Sequence, residues 1–327
     1  MRNFSRGSIN GSKCAKEGWE KIGIPSVLYG AEVVHLSKWG INQLEVEQLR
    51  MGRYILGASQ NACREGIRGT LGWWGLEHRL NQVFLNFARR FEWTDRCWGK
   101  TIWERIREPN AYNKTWLDRV QVLSQKYDIE MDKDNMNRNT WKGYVKRQIG
   151  KYVKEEWLRM ARTKVSLKYY AQSESDYGRC GPLDGAWNTK ALVRMQIGDV
   201  KTANKRKHMN WVDEGKCLCC EEGWEDSIEH VVGECPTFQE ERAKIWGGEG
   251  EMGTVNERMR FLLGLDGEID TEGWSNRTNW AGQLMAMRQR KWAERSRKES
   301  DCNNIVYVEI VQEGWEGLVV DNEVELE

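Results

Sequence analysis

Apolar residues recur at helical intervals through most of the chain. Ile41, Leu44, Met51 and Ile55 form one stripe with Arg50 and Arg53 off it, which predicts a helix that Gly57 stops. Leu76, Leu80, Val83, Phe84, Phe87 and Phe91 are spaced 4, 3, 1, 3 and 4 apart and predict a second helix with a core-facing stripe. Between the two lies Leu71-Gly72-Trp73-Trp74-Gly75-Leu76-Glu77, whose glycines permit a sharp turn and whose tryptophans can wedge helices together. Trp141, Val145, Ile149, Val153, Trp157, Ala161 and Val165 define a long helix from about Thr140 to Tyr170. Further helices are expected over Thr189–Gly198, from Pro236 to Trp246 before Gly247-Gly248, over Arg258–Leu263 and over Trp280–Lys298. Ile305–Val311 alternates weakly as a strand, with Leu318–Val320 as a possible partner. Residues 1–23 read as polar and unstructured, residues 92–140 as short helices broken at Pro109-Asn110 and Asn135–Asn139, and Asp321–Glu327 as an acidic tail.

Composition supports helix and narrows the compartment. Only four prolines, at positions 25, 109, 182 and 236, interrupt the 327 residues. With 30% charged and 39% apolar residues, no early apolar core and no stretch near 18 apolar residues, the expectation is a soluble intracellular protein, cytoplasmic or nuclear. Nine cysteines, an odd number, suit a reducing compartment better than a disulfide framework. Eighteen tryptophans read mainly as packing residues, and the unequal spacing of the Gly-Trp pairs excludes a structural repeat.

The densest chemical signal is C-x2-C-x9-H-x4-C, formed by Cys217, Cys220, His230 and Cys235. Three thiolates and one imidazole make a closed shell of the kind a structural zinc ion takes. The two-residue spacer aims Cys217 and Cys220 at one metal from a single turn. His230 and Cys235 are five apart and do not share a face of a straight helix. A left-handed Gly233 would turn the chain back between them. Cys219 is a surplus thiol able to replace Cys217 or Cys220.

A net charge of +1 conceals a division: residues 1–212 carry +16 and residues 213–327 carry −15. The basic half suggests a polyanion, most simply nucleic acid. From Arg138 to Lys168 there are ten Lys or Arg and two acids, a one-signed face that a row of phosphates would relieve of self-repulsion. Lys142, Lys146, Arg147, Lys151 and Lys154, with the Lys205-Arg206-Lys207 cluster leading into the cysteine motif, are the candidate phosphate contacts. The competing reading, from another class, is a protein–protein scaffold whose basic and acidic halves pair with no nucleic acid.

Four stretches together resemble the reverse transcriptases of non-LTR (LINE-type) retrotransposons beyond their polymerase palm. They are Val27-Leu28-Tyr29-Gly30-Ala31-Glu32, Arg53-Tyr54-Ile55-Leu56-Gly57 with Leu71-Gly72-Trp73, Val165-Ser166-Leu167-Lys168-Tyr169-Tyr170, and Cys217–Pro236 followed by Arg242. The resemblance spans roughly residues 24–295; Gly75 stands where that family often has proline, and Cys219 is unusual for it. It implies a mainly α chain: a helical thumb-like bundle over 24–135, a basic helical linker over 136–212 and a small CCHC zinc knuckle over 213–247. C-terminal helices over 248–300 and a weakly β segment with the acidic tail over 301–327 follow. The family copies RNA into DNA with adjacent aspartates that hold two metal ions. No Asp-Asp pair occurs here, and Asp132-Lys-Asp134 lies in an Asn-rich polar loop. Gly-rich phosphate loops and paired-histidine protease motifs are also absent. The chain therefore reads as a truncated, non-catalytic C-terminal fragment that binds RNA or single-stranded DNA, with zinc as its cofactor and no membrane or small-molecule partner.

Overall fold

The computed structural model describes residues 11–31, 36–92, 101, 104–105, 111–131, 136–179, 181, 183–200, 202, 215–217, 219–220, 222–246, 254–266 and 270–302. The chain is mainly helical. Among the described residues there is no sheet, only one isolated antiparallel bridge between Lys216 and Glu225. No described helix is long and apolar enough to cross a membrane. Two compact units form: Met1–Ala186 with Gln196–Gly198, and Trp187–Met195 with Asp199–Glu327.

The first unit begins with α1 (Gly11–Gly18), which runs through a π turn (Trp19–Gly23) into α2 (Ile24–Leu28). This corrects the expectation that residues 1–23 are unstructured, as far as residues 11–23 are concerned. Their apolar side chains are too sparse to show a period, yet Ala15, Trp19 and Ile24 are all buried. Trp19 packs on Trp73 with ring centroids 6.3 Å apart, and the Trp73 indole N–H donates to Glu20 at 2.7 Å.

Helix α3 (Lys38–Leu56) starts where Ser37 Oγ accepts the Gly40 N–H and stops at Gly57, which is left-handed at φ 61° as its sequence position predicts. Helix α4 (Arg64–Leu71) was not legible as a stripe, because two of its eight positions are glycine. Those glycines serve close packing. A Cβ on Gly69 would lie 2.6 Å from the Trp157 indole, whose N–H donates to the Glu65 carbonyl at 2.8 Å. The tryptophan pair wedges helices as expected: Trp73 is buried beside Gly52 of α3, while Trp74 lies against Gly150.

Helices α5 (Leu76–Glu92), α6 (Ala111–Tyr127) and α7 (Arg138–Ala161) share a core of Phe84, Leu85, Leu123, Tyr127, Ile129, Trp141, Tyr144, Val145, Ile149 and Val153. Asn137 caps α7, its Oδ1 accepting the N–H groups of Asn139 and Thr140 at 3.0 Å. The stripe from Trp141 to Ala161 is buried throughout. Its expected last member, Val165, is instead 84% exposed. The helix ends at Ala161, and two tight turns, Lys164 N–H to Ala161 O and Leu167 N–H to Lys164 O (both 2.9 Å), rotate the chain so that Leu167 enters the core.

The second unit contains α8 (Trp187–Gln196, all but its last residue), α9 (Gln239–Trp246) behind a 3-10 turn at Pro236–Phe238, α10 (Val255–Leu262) and α11 (Thr271–Cys302). A Thr254–Glu257 capping box opens α10. Helix α11 begins earlier than its hydrophobic pattern from Trp280 suggests, since Asp270 accepts the Gly273 N–H at 2.7 Å and starts it. Phe238, Met259, Leu262, Leu265, Trp280, Ala281 and Leu284 are buried in this unit, together with Val231 and Val232 from the cysteine motif. The expected strands over Ile305–Val311 and Leu318–Val320 lie outside the described residues.

Candidate metal centre

The first half of the cysteine motif is a short hairpin. Lys216 bridges Glu225, the Cys217 N–H donates to the Trp224 carbonyl at 2.8 Å, and the Asp226 N–H donates to the Gly215 carbonyl at 2.7 Å. Gly223, at φ 71°, turns the chain where a side chain would be strained. The Cys219 N–H points at Cys217 Sγ, 3.4 Å away, curling the loop around that sulfur.

The second half corrects the proposed role of Gly233. Ser227 Oγ accepts the His230 N–H at 3.1 Å, and the chain then widens into a π turn over His230–Glu234, closed by the Cys235 N–H on the His230 carbonyl at 2.7 Å. A five-residue hydrogen-bonded step stacks residues i and i+5, which an α-helix separates. Gly233 is not among the positive-φ glycines and sits against Met259. The widened turn alone brings the ring and the thiol to one side. The two halves are tied by Thr237, whose hydroxyl donates to the Cys219 carbonyl at 2.7 Å.

The donor atoms of Cys217, Cys220, His230 and Cys235 all lie within 4.8 Å of one another, with Cys220 Sγ and His230 Nε2 3.4 Å apart. Ligands around one tetrahedral zinc stand about 3.7 Å apart, so the four can close on a single metal ion with small adjustments. Cys217, His230 and Cys235 are buried, and Cys220 is half-buried. Cys219 is outside this set of mutually close donors. It acts on Cys217 instead: thiol protons from Cys219 and then Cys235 hold the Cys217 thiol far below the ordinary range. The same contacts push Cys219 and Cys235 up, and burial pushes Cys220 up. A metal ion replaces such shared protons when it binds.

Around the cluster stand groups the motif did not announce. Trp224, 56% exposed, stacks on the His230 ring at 16° with centroids 6.3 Å apart. Arg242 donates through Nη2 to the Cys235 carbonyl at 2.7 Å. Arg288 of α11 makes a two-pronged pair with Asp226, at 2.8 and 2.7 Å. The sole sequence signal for that pair is an aspartate placed inside the motif with no cation within it. Residues 217–235 hold six acids and no Lys or Arg, so the hairpin's own charge does not favour phosphate.

Lys142, Lys146, Arg147, Lys151 and Lys154 are all exposed on α7 of the first unit. Lys205, Arg206 and Lys207 lie outside the described residues, as does Asp132-Lys-Asp134. No family model matches this chain, and neither the curated proteins nor the solved structures contain a match.

Proposed function

We propose that the chain is a non-catalytic nucleic-acid-binding protein, similar to the thumb-to-knuckle region of non-LTR retrotransposon reverse transcriptases, that holds RNA or single-stranded DNA along α7. Zinc is the structural ion of its Cys217–Cys220–His230–Cys235 knuckle, since a closed set of three sulfurs and one ring nitrogen suits that ion's softness and geometry. The observation that carries the binding reading is the outer face of α7. Its five candidate cations, Lys142, Lys146, Arg147, Lys151 and Lys154, are exposed on the helix whose Trp141-to-Ala161 stripe is buried. Lys142, Lys146, Arg147 and Lys154 form no ion pair among the described residues, and Lys151 comes only to 3.9 Å of Glu155. Cations so placed keep their full charge for phosphate oxygens.

The reading is tested by titrating single-stranded RNA against the protein at several salt concentrations. Five phosphate contacts give a log–log slope of about −3.5. Replacing Lys142, Lys146, Arg147, Lys151 and Lys154 with glutamine should flatten the slope and weaken binding equally across sequences. A wild-type slope near zero, or a variant that binds as the wild type does, removes the basis for this function.

A further inference from the structure

Two arginines beside the Cys/His cluster are buried, and the reading of the cluster as a metal centre, on which this inference rests, leaves them unused. Arg288 and Arg242 are each 4% exposed, and Asp226, the partner of Arg288, is fully enclosed. Arg242 Nη1 is also buried and has no hydrogen-bond partner among the described residues. Arginine cannot shed its proton in a protein, and each buried charge demands compensation. Among the described residues buried beside the cluster, two guanidinium groups and one carboxylate leave one positive charge over. A divalent ion bound by three thiolates and a neutral imidazole carries one negative charge, which closes the sum. A monovalent ion in the same shell, or Cys219 substituted for His230, would carry two; a trivalent ion would carry none. Glu241 and Glu234 also act on Arg242, opposed by Arg258, but Glu234 is exposed and Glu241 half-buried, where water screens them. On Arg288, Asp226 acts together with the Cys219 and Cys217 sulfurs.

We infer that Arg242 and Arg288 are the counter-charges of the metal centre: positioning residues that set its affinity for a divalent ion by balancing the anionic three-thiolate shell. Arg242 does so from the Cys235 side and Arg288 from the Cys217 side, where it is itself held in place by Asp226. Outer groups of this kind typically alter metal affinity by about ten- to a hundredfold.

The test is zinc affinity of the full chain, measured by competition with a chromophoric chelator. Cobalt(II) spectra follow the donor set, and far-ultraviolet circular dichroism follows folding. Arg242→Gln, which keeps a donor for the Cys235 carbonyl but loses the charge, should bind zinc about ten- to a hundredfold more weakly. Its tetrahedral sulfur-to-cobalt band should be unchanged. Arg242→Lys, which keeps the charge, should stay close to the wild type. Arg288→Met should also weaken binding, and the double variant Asp226→Asn/Arg288→Met should recover part of the loss, because it restores the charge sum while removing every contact of the pair. Equal losses in Arg242→Gln and Arg242→Lys, wild-type affinity in Arg242→Gln, or a double variant no better than Arg288→Met would each overturn the inference. A wild type that takes up neither zinc nor cobalt overturns the metal reading itself, a different and recognisable result.

Discussion

Gly69 and His78 show how much of this molecule is decided by single contacts. Gly69 lies under the Trp157 indole at a distance no Cβ tolerates. Gly69→Ala gains a little helix propensity and forces the indole off its hydrogen bond to Glu65, a net loss of about 1–3 kcal/mol that the urea midpoint will register. His78 is buried where α5, α6 and α7 meet. Asn81 donates to Tyr127 Oη at 3.0 Å, which directs the phenol's proton to His78 Nδ1 (3.0 Å) and leaves Nε2 to face Glu156 (3.1 Å). That network suits a neutral ring. Burial holds His78 below its ordinary value, Glu156 and Glu77 pull the other way, and Lys126 and Arg68 reinforce the burial. As pH falls through about 6.5, the unfolded chain takes its proton first, so stability is present above that pH and declines below it until the folded ring also protonates. His78→Gln should remove this part of the slope in urea unfolding followed from about pH 7.5 to about pH 5.5. An unchanged slope would show that the fold leaves the proton affinity of His78 the same as in the unfolded chain. None of these contacts was readable in sequence, because each joins residues tens of positions apart.

At the scale of elements, periodicity was a good guide wherever one stripe faced one core. Helices α3 and α5 follow their patterns, and Gly57 ends α3 as its type suggests. The pattern misled at Val165, where spacing continued but the chain turned, and it was silent over α4, whose glycines serve neighbours rather than a stripe. The knuckle holds the most instructive difference. Four mutually close donors were legible from spacing, but the device that joins the last two is a π turn rather than a left-handed glycine. The two devices predict opposite effects for Gly233→Ala. In a left-handed residue the substitution costs about 1–2 kcal/mol. In the π turn, with Met259 Sδ at an ordinary 3.4 Å from the added Cβ, it should be neutral or stabilise by about 0.5 kcal/mol. Thermal unfolding of the zinc-loaded variant decides, and a drop in midpoint of several degrees would contradict the π turn.

For the whole molecule, the four candidate ligands belong to one unit and the cationic face of α7 to the other. With zinc in the cluster as proposed, its removal by a strong chelator should expose the amides of residues 222–238 to hydrogen exchange, since binding free energy at such a site is also folding free energy. Amides of α3, α5 and α7 should keep their protection, and loss there at the same chelator concentration would count against a metal effect confined to the knuckle. What sequence alone determined is the helical character, the four donors that come together and the one-signed run from Arg138 to Lys168, because periodicity, donor spacing and charge are all local properties of a chain. Tertiary structure alone decided which apolar residues were spared burial, that Cys219 stands outside the ligand set, and that Arg242 and Arg288 are enclosed beside it. Burial and charge balance depend on what the fold brings close, and Asp226 and Arg288, 62 positions apart, meet only once the chain between them has packed.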